Sequence, residues 1–220
     1  MRNPYLEELS RRLGEKQIEA AIVNGDRLEI TLHGQPVLRV LPDSSVFLLP
    51  AGNSREEAHD LYHSVSALAD EVHEYVEAVQ NAPLFQAAGL KEKFRLLADL
   101  GGAVLAGRER EDGWGYQFVT WVWDHDRRGV SHGHYFEDAF QSAKQDFAVR
   151  SGLISRAQLF TPEQLTEIYR ATDYYLEEGP ESNDSQLKAM QEARGKIEYT
   201  VPDLQARLEQ APRQGLELRL

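Results

Sequence analysis

Residues 114–153 carry the densest aromatic run in the chain and its clearest punctuation. Between Tyr116 and Trp123 the two alternating faces of an extended strand are both apolar or aromatic. Tyr116, Phe118, Thr120 and Val122 point one way, and Gln117, Val119, Trp121 and Trp123 the other. A strand with one wet face alternates apolar with polar, so this pattern predicts a strand covered on both sides, inside its sheet. Asp124-His125-Asp126-Arg127-Arg128-Gly129 is a polar turn that ends on a residue tolerant of positive φ.

A second strand is predicted from Val130 to Phe136. Strict alternation would place Val130, His132, His134 and Phe136 on one face. Asp138 and Gln141 have the spacing of a capping box, and Phe140, Ala143 and Phe147 recur as a helical stripe. Gly152 stands where a left-handed C-cap is expected. The unit therefore reads strand, turn, strand, helix, with the helix on one sheet face.

The preceding half repeats that order of elements. Tyr5 to Leu13 reads as a short amphipathic helix. Four strand segments follow, at Glu19–Val23, Arg27–Leu32, Val37–Leu41 and Val46–Leu49, broken at Asn24-Gly25, at 33–36 and at 42–45. Ser54 and Glu57 have capping-box spacing before a long helix that ends near Asn81, ahead of Pro83. Its Leu61, Val65, Leu68, Val72, Tyr75 and Val79 recur in steps of four and three, a seam that serves either an internal core or a dimer. Strands at Phe94–Leu100 and Val104–Arg110 lead into the aromatic strand. After Gly152 the chain reads as helical. Thr161-Pro162-Glu163-Gln164 combines a cap, a proline at the first helical position and a box glutamine. Helices are also predicted from about Asp184 to Ile197 and from Pro202. Leu216, Leu218 and Leu220 alternate in the tail, as a strand added to a sheet edge would.

Charge and composition narrow the function classes. A net charge of -12 argues against direct binding of nucleic-acid phosphates; it permits a basic protein partner or imitation of DNA, while solubility alone is the commoner reason for such acidity. The absence of cysteine removes disulfides, thiolate metal sites and a cysteine nucleophile. Residues 1–13 lack the apolar run of a signal peptide, and no stretch approaches the roughly 20 apolar residues that span a bilayer. A cytoplasmic protein with no membrane contact is expected.

Three stretches carry a resemblance: Tyr116 to Trp121, Gly129 to Tyr135, and Asp146 to Leu153. It continues through Leu165 to Arg170 and Lys196 to Pro202, and back to Leu97–Glu109. Over this second half the chain is similar to a family carried on conjugative and integrative elements of gut Clostridia and related Firmicutes. The resemblance implies a genetic context, accessory cargo of a bacterial mobile element, and brings no catalytic residue with it.

Candidate chemistry is sparse. His132 and His134 flank Gly133 on a strand, with Asp124 and Asp126 in the adjoining turn. Imidazole with carboxylate suits a divalent transition metal, and these four are the candidate ligands; the alternative is that both rings pack against neighbouring aromatics. His59 and His63 stand one helical turn apart around Asp60, an echo of the zinc-protease pattern without its glutamate or third ligand. No nucleophile elbow or phosphate cradle occurs. Trp and Phe on a strand suit base stacking in RNA-binding sheets, yet core packing is the commoner use. Glu56, Glu57, Asp60, Asp70, Glu71, Glu74 and Glu77 make the long helix strongly acidic.

Together these features predict an α+β protein of antiparallel meanders with long helices packed on sheet and a C-terminal helical segment. Its divisions fall at 1–93, 94–153 and 154–220, or the whole forms one continuous domain. The expected function is a non-enzymatic accessory or interaction protein with a protein partner, and a homodimer is an option. The alternatives are a metal-dependent enzyme using the His-x-His pair, and a DNA-mimic inhibitor of antirestriction type.

Overall fold

A computed structural model of the chain describes residues 3–53, 55–156, 159–179 and 183–210. The fold is α+β, with two antiparallel four-stranded sheets and six helices among those residues. Residues 1–154 and 155–220 form separate compact units.

In the first unit, α1 (Pro4–Glu15) starts at Asn3, whose side chain accepts from the Leu6 amide. The first sheet is a meander in the order β1 (Ala20–Val23), β2 (Arg27–Leu32), β3 (Gln35–Val40) and β4 (Val46–Leu48). Asn24 and Gly25, like His33 and Gly34, all have positive φ, the conformation that tight hairpin turns require. The second of these turns holds only two residues, so β3 begins earlier than the turn signal at Gln35-Pro36 indicated. Leu32 pairs with Gln35, and a register shift beside Pro36 absorbs its missing amide.

Helix α2 (Glu56–Asn81) has its N-cap at Arg55, without a side-chain cap bond; Ser54, the expected cap, lies outside the described residues. Its seam faces inward. Val65, Leu68, Val72, Tyr75 and Val79 are buried in one cluster with α1, with Leu28, Ile30, Leu38 and Val40 of the first sheet, and with Phe118 of the second. The chain's own core thus uses the heptad-like stripe.

The second sheet runs β5 (Arg95–Leu100), β6 (Ala103–Glu109), β7 (Tyr116–Trp123) and β8 (Val130–Tyr135) in order. As its pattern predicts, β7 is an interior strand covered on both faces. Tyr116 and Phe118 meet Tyr75 of α2, and Phe118 also meets Phe140 of α3 (Phe140–Arg150). On the opposite face Val119 and Trp121 lie under the connector, where Phe85 stacks on Trp121 at 5.8 Å and Phe94 meets it edge-on at 5.1 Å. The meanders are two sheets, not one, and α2 contacts both.

Asp138 does not cap α3. The helix starts at Phe140 from Ala139, and Asp138 instead accepts from the Arg11 guanidinium at 2.9 Å. A charge-assisted bond outweighs a neutral amide cap. Gly152 has the positive φ expected of it.

The second unit packs α4 (Pro162–Glu178), α5 (Asp184–Thr200) and α6 (Leu204–Gln210) around Tyr169, Ile197, Val201 and Leu204. The Thr161–Gln164 capping box forms as read, and Asn183 with Gln186 makes a second one. The leucines at 216, 218 and 220 lie outside the described residues. Replacing Asn183 with Ala should lower this unit's stability by about 1 kcal/mol, because the Gln186 amide loses its acceptor. Helical circular dichroism followed through denaturant titration checks the value.

Candidate functional site

Residues of β7, β8 and α3 meet in one hydrogen-bond network. Thr120 comes from β7, His134 from β8, and Asp146 and Arg150 from α3. Strand β7 ends up beneath α3 because Phe140, Ala143 and Phe147 bury their stripe against it. That docking points Asp146 and Arg150, one helical turn apart, toward β8.

Thr120 is fully buried. Its hydroxyl donates to Asp146 Oδ2 at 2.5 Å and accepts from Arg150 at 2.8 Å. Arg150 also donates to the Thr120 carbonyl at 3.1 Å and to the His132 carbonyl at 2.6 Å. The His134 ring brings Nδ1 to 3.2 Å from both Asp146 oxygens. A carboxylate only accepts, so Nδ1 carries a proton in this contact, and in a neutral ring the lone pair lies on Nε2. The imidazole is about half exposed, with 54% of its side-chain surface open. Chemically, this is an imidazole fixed in tautomer and orientation by a helix-borne acid.

The predicted sharing of a face by His132 and His134 fails at a β-bulge. Thr120 pairs with His134 but Val122 pairs with Ser131, so His132 and Gly133 together oppose Trp121 alone. His132 takes a φ of 53°, and a Cβ on Gly133 would stand 2.7 Å from the Trp121 indole nitrogen. The extra residue puts Val130 and His134 on opposite faces. His132 Nδ1 lies 2.9 Å from the Ser131 hydroxyl, whereas His134 turns to Asp146.

The two aspartates of the candidate metal set have other occupations. Asp124 accepts from the Arg128 and Gly129 amides at 2.9 and 2.8 Å, and Asp126 accepts from Arg128 at 3.2 Å. They close the β7–β8 turn. His59 and His63 are exposed on α2, and His59 Nδ1 faces the Arg55 carbonyl at 2.9 Å. Among the described residues no three His, Asp or Glu side chains are grouped to hold a metal ion. The acidic face of α2 is interrupted as well. Glu74 pairs with Lys144 at 2.6 Å, Asp70 accepts from Ser44 at 2.9 Å, and Glu71 lies 3.9 Å from Arg12.

The sequence reading assigned no chemistry to Asp146, Thr120 or Arg150. The available signal was an acid and an arginine four residues apart beside the apolar stripe of α3. Thr120→Val and Asp146→Ala should be strongly coupled. A double-mutant cycle is expected to return about 1–2 kcal/mol, because each change removes the same buried bond. Additive losses would mean that the hydroxyl and the acid act independently.

Among the described residues no helix is long and apolar enough to cross a membrane. A scan against known protein families gives no match, and no characterised protein matches the sequence.

Proposed function

We propose that this protein is a non-enzymatic accessory protein that works by binding a basic protein partner, in the mobile-element context that the motif resemblance implies. One observation carries the reading: large aromatic side chains stand exposed among carboxylates. Trp114 is 69% exposed at the β6–β7 tip, and Tyr174 is 65% exposed on α4, whose last turn holds Glu177 and Glu178 and no basic residue. Aromatic rings are enriched at protein interfaces, where their burial contributes a large share of binding. Carboxylates at a helix C-terminus oppose its dipole, and a cation supplied by a partner would offset that cost. The overall charge of -12 would steer such a partner inward. The test places a photo-crosslinking residue at Trp114 or at Tyr174 in cells carrying a mobile element of this kind. One recurrent Lys- and Arg-rich protein, crosslinked in near-stoichiometric amount, supports the reading. Scattered adducts with abundant proteins, equal to those from a control position such as Glu56, would remove it.

A second reading, a metal-dependent enzyme, is favoured by the Asp146–His134 pair. Metal-bound histidines commonly donate their other ring N–H to a carboxylate, and here Nε2 would be the ligand atom. Elemental analysis of the purified protein and of a His132→Ala/His134→Ala variant tests it. Near-stoichiometric transition metal that disappears in the variant would put this reading first.

A further inference from the structure

A groove runs between α1 and the tip of the β6–β7 hairpin. It consists of two hollows of about 140 and 350 Å³ that share Arg11 and Tyr116 as lining. We propose that this groove takes an extended Lys- or Arg-rich segment of a protein partner, with one cationic side chain over Trp114; the assignment rests on the function proposed above.

Length fits such a segment. Lining residues of α1 extend from Pro4 to Glu15 across the two hollows. At about 1.5 Å of rise per helical residue that is about 16 Å, the span of about five extended residues.

Charge selects a cation. Six carboxylates line the two hollows, those of Glu7, Glu8, Glu15, Glu109, Glu137 and Asp138, against the guanidiniums of Arg11 and Arg110. The two guanidiniums and four of these carboxylates, those of Glu8, Glu15, Glu137 and Asp138, already engage one another. Arg11 is within 2.9 Å of Glu8, Glu15 and Asp138, and Arg110 is within 2.8 Å of Asp112 and Glu137. Among the described residues an incoming anion meets no uncommitted cation there. An incoming cation meets exposed Glu109, which has no ion pair among the described residues, and the outer side of Glu137, whose side chain is 61% exposed.

Two contacts shape the walls. Gly115 has a φ of 81°, and its backbone lies so close to Arg11 that a Cβ would stand 2.6 Å from the guanidinium carbon. Asp112 accepts from the Trp114 amide at 3.0 Å, which ties down the turn that presents the indole. A carboxylate-lined groove with an aromatic ring at its mouth suits ammonium or guanidinium groups.

The test uses the full chain and an acetylated, amidated pentapeptide of alternating Lys and Arg, titrated by calorimetry and by tryptophan fluorescence. Saturable one-to-one binding is expected, weakening with salt, and absent for the equivalent Glu pentapeptide. Trp114→Ala and Glu109→Gln should each weaken it about threefold. Both side chains are exposed, and unchanged circular dichroism confirms the fold of each variant. Absence of saturable binding, or binding that neither variant alters, would overturn the assignment. Spermidine that binds as tightly as the peptide would also overturn it, in favour of a free polyamine. Loss of the groove assignment with crosslinking at Tyr174 retained leaves the proposed function standing; loss of both removes it as well.

Discussion

Phe118→Ala is expected to destabilise the 1–154 unit by roughly 3–5 kcal/mol, the range for removing a buried aromatic ring from a packed core. Phe118 is fully buried, and its ring lies 5.4 Å from Tyr75, 6.5 Å from Tyr116 and 4.8 Å from Phe140. It also fills the space over Gly107, where an added Cβ would stand 2.9 Å from the ring. The side chain therefore links β7 to β6, α2 and α3 at once. No single neighbour can move in to fill the cavity without leaving another contact. Denaturant unfolding should show a lower midpoint with an unchanged slope. A loss below about 1 kcal/mol would mean that the core relaxes around the hole and that packing here is looser than the ring geometry implies.

Alkaline pH should unfold the same unit through three buried phenols. Tyr5, Tyr75 and Tyr116 are 5%, 0% and 3% exposed. Burial, first of all, pushes the pKa of each well above the usual tyrosine value. Nearby acids add to this: Asp70 and Asp43 for Tyr5, Glu8 for Tyr75, and Glu109 and Glu8 for Tyr116. Each folded-state pKa is raised, so each contribution to stability is whole below the unfolded value near 10. It is lost as pH climbs from there toward the folded value. Once the unfolded chain ionises fully, stability should fall by about 1.4 kcal/mol per pH unit for each phenol, or about 4 for the three together. Of the nine tyrosines, these three should gain phenolate absorbance only in step with the loss of native circular dichroism. Phenolate signal from all nine while the fold stays intact would show that burial does not hold those protons.

The elements most legible in the sequence were those whose local chemistry agrees with their tertiary setting. The double-sided aromatic pattern of Tyr116–Trp123 predicted an interior strand, and the Thr161 capping box predicted the start of α4. Readings failed where a distant partner intervened. Asp138 has cap spacing, but Arg11 reaches it from a residue 127 positions away. His132 and His134 alternate in the sequence, but a bulge at His132-Gly133 separates their roles, and the glycine inside the strand was its one local signal. The Thr120–Asp146 bond joins residues 26 apart and depends on which face α3 turns to the sheet. A helical stripe gives the apolar side of that face and leaves its polar flank unspecified.

Helix α2 serves as a wall common to both sheets, and the order of synthesis gives this a consequence. The helix and the whole first sheet leave the ribosome before β7 exists. Until Tyr116 and Phe118 arrive, the Tyr75 side of α2 has nothing of the second sheet to cover it. At roughly 5–20 residues per second, the stretch from Asn81 to Phe140 takes several seconds to appear. During that interval the nascent chain presents an apolar helix face, which suits chaperone capture and makes the first half of the chain the part most exposed to misassembly.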